Sequence, residues 1–151
     1  MKNLLVFAML VAVVVVCGGS TALAQKKMKK EAVLWAAENV KWAAMKNAPP
    51  GVMVANLWGD VSKGAYGALV KLPAGFDTPL HSHTHDMKLV IISGAMIHIP
   101  EGGKEESYGQ GSYLFIPGGD RHITRIPKDE PCLLFQESGG MFDLKPVAEK
   151  K

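Results

Sequence analysis

Cysteine is nearly absent. The chain has two, Cys17 and Cys132, and the first lies in the apolar N-terminal stretch. If that stretch is removed, Cys132 is the lone thiol and no disulfide can form within the chain, so packing, or a bound metal, must hold the fold. Charge of one sign is also lacking: 17 Lys and Arg face 14 Asp and Glu. The only dense basic run, Lys26 to Lys30, sits beside a candidate cleavage site, so composition gives no nucleic-acid footprint. The sequence contains no Gly-x-Ser-x-Gly elbow, no Gly-x-x-x-x-Gly-Lys phosphate loop and no Gly-x-Gly-x-x-Gly turn. A serine hydrolase, a P-loop nucleotidase and a dinucleotide oxidoreductase are therefore set aside.

One long apolar run is present, Leu4 to Val16, behind Lys2 and ahead of Ala22-Leu23-Ala24. It is shorter than the roughly 20 residues a spanning helix needs. Charge, apolar core and small-x-small end together read as a secretory signal cut after Ala24, leaving no membrane span. Lipidation of Cys17 is the alternative, but Val16 is a poor residue to precede it. The expected organisation is a signal peptide at 1–24, an N-terminal arm at 25–50, one β domain at 51–145 and a flexible tail at 146–151. The mature protein is then secreted or periplasmic.

Residues 29–46 mix helix-forming Ala, Glu, Lys and Met with Trp35 and Trp42. Their apolar positions do not form one clean stripe, and two extended pieces, Ala32 to Trp35 and Val40 to Ala43, are the preferred reading. Beyond Gly51 the pattern is plainly β. Short apolar or alternating runs, including Tyr66 to Leu72, Met87 to Ser93 and Leu133 to Glu137, recur between Gly- and Pro-containing turns. Such spacing predicts an all-β sandwich or barrel.

The chemistry concentrates in two stretches. In Gly75-Phe-Asp-Thr-Pro-Leu-His81-Ser-His83-Thr-His85-Asp-Met87, alternation on an extended backbone sends His81 and His83 to one side. Two imidazoles facing one way are two thirds of a metal site. The second stretch, Gly111 to His122 with Pro117 and Gly119, supplies a third imidazole. Neutral imidazole suits iron, zinc, copper or nickel. If the alternation continues, His85 is an additional candidate ligand; otherwise it is a turn residue. Asp86 could orient an imidazole or solvate the turn. His98, between Ile97 and Ile99, reads as a surface or cross-strand residue, and Cys132 as a buried inert thiol. Gln136 alternates with Phe135, so one of the two points into the barrel, where Gln136 could meet a substrate or the metal.

These two stretches resemble the two signature motifs of the cupin superfamily. Gly75, His81, His83 and Gly94 stand at the spacing of the first, with Met87 where that motif has glutamate. Gly111, Pro117, Gly119 and His122 stand at the spacing of the second, with Ile126 in place of its asparagine. The resemblance implies a single-domain cupin β-barrel, a double-stranded β-helix or jelly roll of RmlC-like type. It also implies a divalent transition metal held by His81, His83 and His122. Loss of the glutamate that is the fourth ligand in manganese cupins acting on oxalate argues against oxalate-type chemistry, because a thioether is a weak donor to hard ions. What is left resembles the three-histidine iron sites of some cupin dioxygenases for thiols and diketones. Iron(II) is thus favoured, with zinc, manganese, nickel or copper compatible and Met87 kept as an additional candidate. The expected partner is a small-molecule substrate or ligand, and many cupins pair through a sheet edge, so a homodimer is expected too. A second reading, similar to the cupin half of ChrR-type anti-sigma factors, is a non-catalytic module that binds or senses a metal or small ligand.

Overall fold

The computed structural model describes residues 31–148. The expected signal peptide, its cleavage site and Cys17 lie outside them. Chain contacts divide after Leu34. On the N-terminal side, 31–34 carries no regular structure and its side chains are exposed. Both sheets are built from residues beyond Trp35.

Among the described residues, eleven strands form two antiparallel sheets. They are β1 (Ala43–Ala44), β2 (Met53–Gly59), β3 (Tyr66–Leu72), β4 (His81–Ser82), β5 (Met87–Ser93), β6 (Ala95–Pro100), β7 (Glu106–Gly109), β8 (Tyr113–Ile116), β9 (His122–Arg125), β10 (Cys132–Ser138) and β11 (Lys145–Pro146). One sheet runs β1-β2-β3-β10-β5-β8 and the other β11-β4-β9-β6-β7. Sequence neighbours such as β4 and β5 lie in different sheets, and the chain crosses between layers as a jelly roll requires.

The period of two decides what lies between the sheets. Along β10, Cys132, Leu134, Gln136 and Ser138 are buried while the residues between them are less so. In β5, Met87, Leu89 and Ile91 point inward. With Val54, Val70, Leu72, Met96, Leu114 and Ile116 they make one apolar core. Cys132 is 1 % exposed, and burial pushes its thiol up to about 11, which makes it inert. The β5–β6 connection turns at Gly94, where φ is +72° and an added Cβ would run into the Pro131 carbonyl oxygen. Only glycine fits there without strain.

The predicted strands from Tyr66 to Leu72 and Met87 to Ser93 appear with those bounds, and Leu133 to Glu137 lies within β10. The arm differs from expectation. Ala37–Asn39 is a single 3-10 turn, and only Ala43–Ala44 pairs, with Val54 and Met53. Ala32 to Trp35 joins no sheet. Extended propensity there finds no neighbouring strand to complete the hydrogen bonds.

Candidate metal centre

The histidine strand β4 is two residues long, yet it is held on both sides. His81 lies directly opposite His122 of β9, and β11 pairs along its other edge through Pro146 and Lys145. His83 follows, and its carbonyl accepts the Gly119 N–H at 2.8 Å. The Pro117-Gly-Gly corner is thereby clamped to the first stretch. Asp86 completes the clamp: its carboxylate accepts the Gly118 N–H at 2.8 Å. A Cβ on Gly118 would meet the Thr84 carbonyl at 2.5 Å, so the corner can approach this closely only as glycine. Asp86 therefore fixes a backbone corner rather than an imidazole.

The three rings converge. His81, His83 and His122 are all buried, and their candidate ligand nitrogens lie within 4.8 Å of one another. Ring centroids are 4.9 Å apart for His81 and His83, 4.4 Å for His81 and His122, and 5.4 Å for His83 and His122. Each Nδ1 faces a backbone carbonyl: Pro79 at 2.9 Å, Asp143 at 2.5 Å and Asp120 at 3.2 Å respectively. A carbonyl only accepts, so each Nδ1 carries the proton and each Nε2 keeps its lone pair. Carbonyl contacts of this kind fix the ring and the tautomer of metal-binding histidines.

Protonation favours the same role. Burial holds all three below the ordinary histidine range, with His83 at about 4 and His122 at about 3. For His122 the neighbouring His81, His83 and His98 add to the effect. Three neutral imidazoles with free Nε2 atoms are a donor set for a transition metal. One of those atoms, His122 Nε2, is fully buried with no hydrogen-bond partner. A buried acceptor left unpaired is costly, and an ion bound by the trio would satisfy it. The residues present therefore fit a metal ion, without specifying which.

The other candidates divide. Met87 and Gln136 are buried and, with the three histidines, line one cavity of about 60 Å³. Gln136 Nε2 donates to the Tyr66 hydroxyl and lies 3.5 Å from Met87 Sδ. Burial pushes the Tyr66 phenol up to about 12, so it stays protonated. His85 is exposed, packs its ring on Gly140 and lines an outer cleft with Asp86 and Lys88. The turn after His83 ends the alternation before it can bring His85 inward. Lys88 is likewise outside, paired with Glu137 at 3.0 Å.

Two residues exceed their sequence reading. His98 is stacked beside His122, with centroids 4.7 Å apart, and its Nδ1 is buried without a partner. Register explains this: His98 is opposite Thr124, whose side chain is buried like that of His122 on the same strand. The other residue is Asp143. Its carbonyl holds His83, and its carboxylate accepts the Thr84 backbone N–H at 2.8 Å and the Thr84 hydroxyl. It lies far along the chain, in a segment without strand or motif signal.

The chain thus has a cupin fold that carries a candidate three-histidine metal centre. The chain belongs to the family described as Domain of unknown function (DUF4437), which matches residues 33–150. No curated protein matches it in sequence. Among solved structures it is similar to the polyketide cyclase RemF from Streptomyces resistomycificus, at 17% identity and a TM-score of 0.66, covering 80% of this chain and 89% of that one. A cupin-2 domain from Rhodospirillum rubrum has 18% identity and a TM-score of 0.60, covering 80% and 84%. An RmlC-like cupin from Shewanella frigidimarina has 14% identity and a TM-score of 0.56, covering 74% and 94%. At such identities these likenesses establish the cupin fold alone.

Proposed function

We propose that this protein is an exported metal-dependent oxidoreductase of the dioxygenase type, acting on a small organic molecule at His81, His83 and His122. The observation that carries the reading is three buried, neutral imidazoles converging on one point, with no carboxylate joining them among the described residues. Iron(II) held there would supply Lewis acidity and electron-transfer chemistry toward dioxygen. The chain's own contribution is placement. Backbone carbonyls lock the three rings, and Asp86 and Gly118 brace the corner that carries His122. Apolar side chains make up most of the cavity wall around the histidines. Gln136, held by Tyr66, offers an amide to the substrate.

Similarity to a polyketide cyclase supports a second reading, in which the same metal acts only as a Lewis acid. Protein purified without oxygen, analysed for metals and then supplied with iron(II), separates the two. Oxygen uptake with a panel of small diketones and thiols, lost in His122→Ala, is the expected result. Iron binding without uptake favours the Lewis-acid reading, and tight zinc without turnover favours a binding or sensing module. Export has its own test: protein recovered from the periplasm or medium should begin at Gln25.

A further inference from the structure

The walls of the cavity beside the histidines say more about what enters it. No charged side chain among the described residues lines it. Leu72, Leu89, Met96, Ile116, Leu134 and Phe142 provide much of the surface. The Thr78 hydroxyl is occupied by the Thr124 backbone, donating to its carbonyl at 3.2 Å and accepting its N–H at 2.9 Å. Apart from the imidazoles, the Gln136 amide and the Thr124 hydroxyl are the hydrogen-bonding side-chain groups left to meet a ligand. The volume, about 60 Å³, is well under the roughly 150 Å³ that holds a benzene ring.

Charge balance narrows the ligand further. Three neutral imidazoles leave both positive charges of a divalent ion uncompensated in a buried, low-dielectric site. A carboxylate ligand at position 87 would have cancelled one of them; Met87 cancels none. An incoming molecule that brings one negative oxygen or sulfur to the ion is therefore favoured over a neutral one. Beyond that head group the walls reward apolar surface and penalise a second charge.

We infer that the cavity selects small monoanions with an apolar remainder, the anionic head turned to the three-histidine centre and the tail packed on the Leu and Ile walls. This rests on the metal reading above and adds the substrate class to it. Polyanions, zwitterionic amino acids and sugars are excluded by the same walls.

Three probes test it on the full-length mature protein loaded with cobalt(II), with the visible cobalt absorption and calorimetry as readouts. They are propanoate, butanone, in which a methyl replaces one carboxylate oxygen, and malonate, in which a carboxylate replaces the terminal methyl. The expected order is propanoate tightest, with each of the others weaker by about tenfold or more, a factor that corresponds to about 1.4 kcal/mol. Met45→Lys, which places a cation on the cavity lining, should shift the preference toward malonate without altering cobalt stoichiometry. Malonate or butanone binding as tightly as propanoate, with cobalt bound, would overturn the substrate class alone. Failure of cobalt to bind, or equal binding in His122→Ala, would overturn the metal reading and this inference with it.

Discussion

His81 and His122 are direct cross-strand partners, with ring centroids 4.4 Å apart on β4 and β9. The pairing of two strands thus brings these two candidate ligands together.

Burial of the three histidines makes metal-free protein sensitive to acid. In the unfolded chain histidine titrates near 6.5, whereas burial holds His83 at about 4 and His122 at about 3 in the folded one. Between these limits the unfolded state binds more protons, so stability falls as pH drops. Metal-free protein should lose stability progressively from about pH 6.5 toward pH 4, at up to about 1.4 kcal/mol per pH unit for each histidine involved. Urea titrations across that range check it. Since the folded ligands remain neutral over most of it, metal retention should hold to about pH 5 and fail nearer 4.

Met87 is the departure that shapes the site. It is 6 % exposed and faces Gln136 from the neighbouring strand. Met87→Glu should destabilise metal-free protein by about 3 kcal/mol, because a carboxylate is buried without a cationic partner. Metal should restore much of that loss and bind more tightly than to the native protein. Thermal melts with and without metal measure both effects, and equal destabilisation in the two would place residue 87 away from the ion.

Much of the fold is legible in the sequence. Gly- and Pro-punctuated runs mark the β elements, and several strands have the expected bounds because binary alternation agrees with burial there. His81 and His83 declare themselves through period two, and His122 through its motif spacing. Other features depend on pairings that local patterns do not encode. The register of β6 against β9 puts His98 beside His122, and the fold-back of the chain after β10 brings the Asp143 carbonyl to His83. His85 obeys the alternation on paper, but a turn intervenes before the rule can act. Asp86 resembles an imidazole partner because it is close in sequence; its contact is the Gly118 N–H across the clamp.

The Tyr66 hydroxyl and the Gln136 amide are a buried hydrogen-bonded pair behind the cavity. Tyr66→Phe should cost about 1–2 kcal/mol in chemical denaturation, as one hydrogen bond is lost and a buried amide is left under-satisfied. Metal affinity should be unchanged. A fall in metal affinity would mean that Gln136, held by Tyr66, itself contacts the ion.

Gly94 tests the fold away from the chemistry. Gly94→Ala places a Cβ against the Pro131 carbonyl at a left-handed φ and should cost about 1–3 kcal/mol, readable as a lowered Tm with metal stoichiometry unchanged. A neutral substitution would mean that the β5–β6 turn takes another path.

The three-histidine centre is tested most directly by elemental analysis of protein purified from its native compartment, beside His81→Ala, His83→Ala and His122→Ala variants shown to be folded. The expected result is roughly stoichiometric transition metal in the native protein and an affinity loss beyond about 100-fold in each variant, more than loss of an orienting partner alone would cause. Metal content that is the same in all four proteins, or a native protein that takes up no transition metal when it is offered, would contradict it.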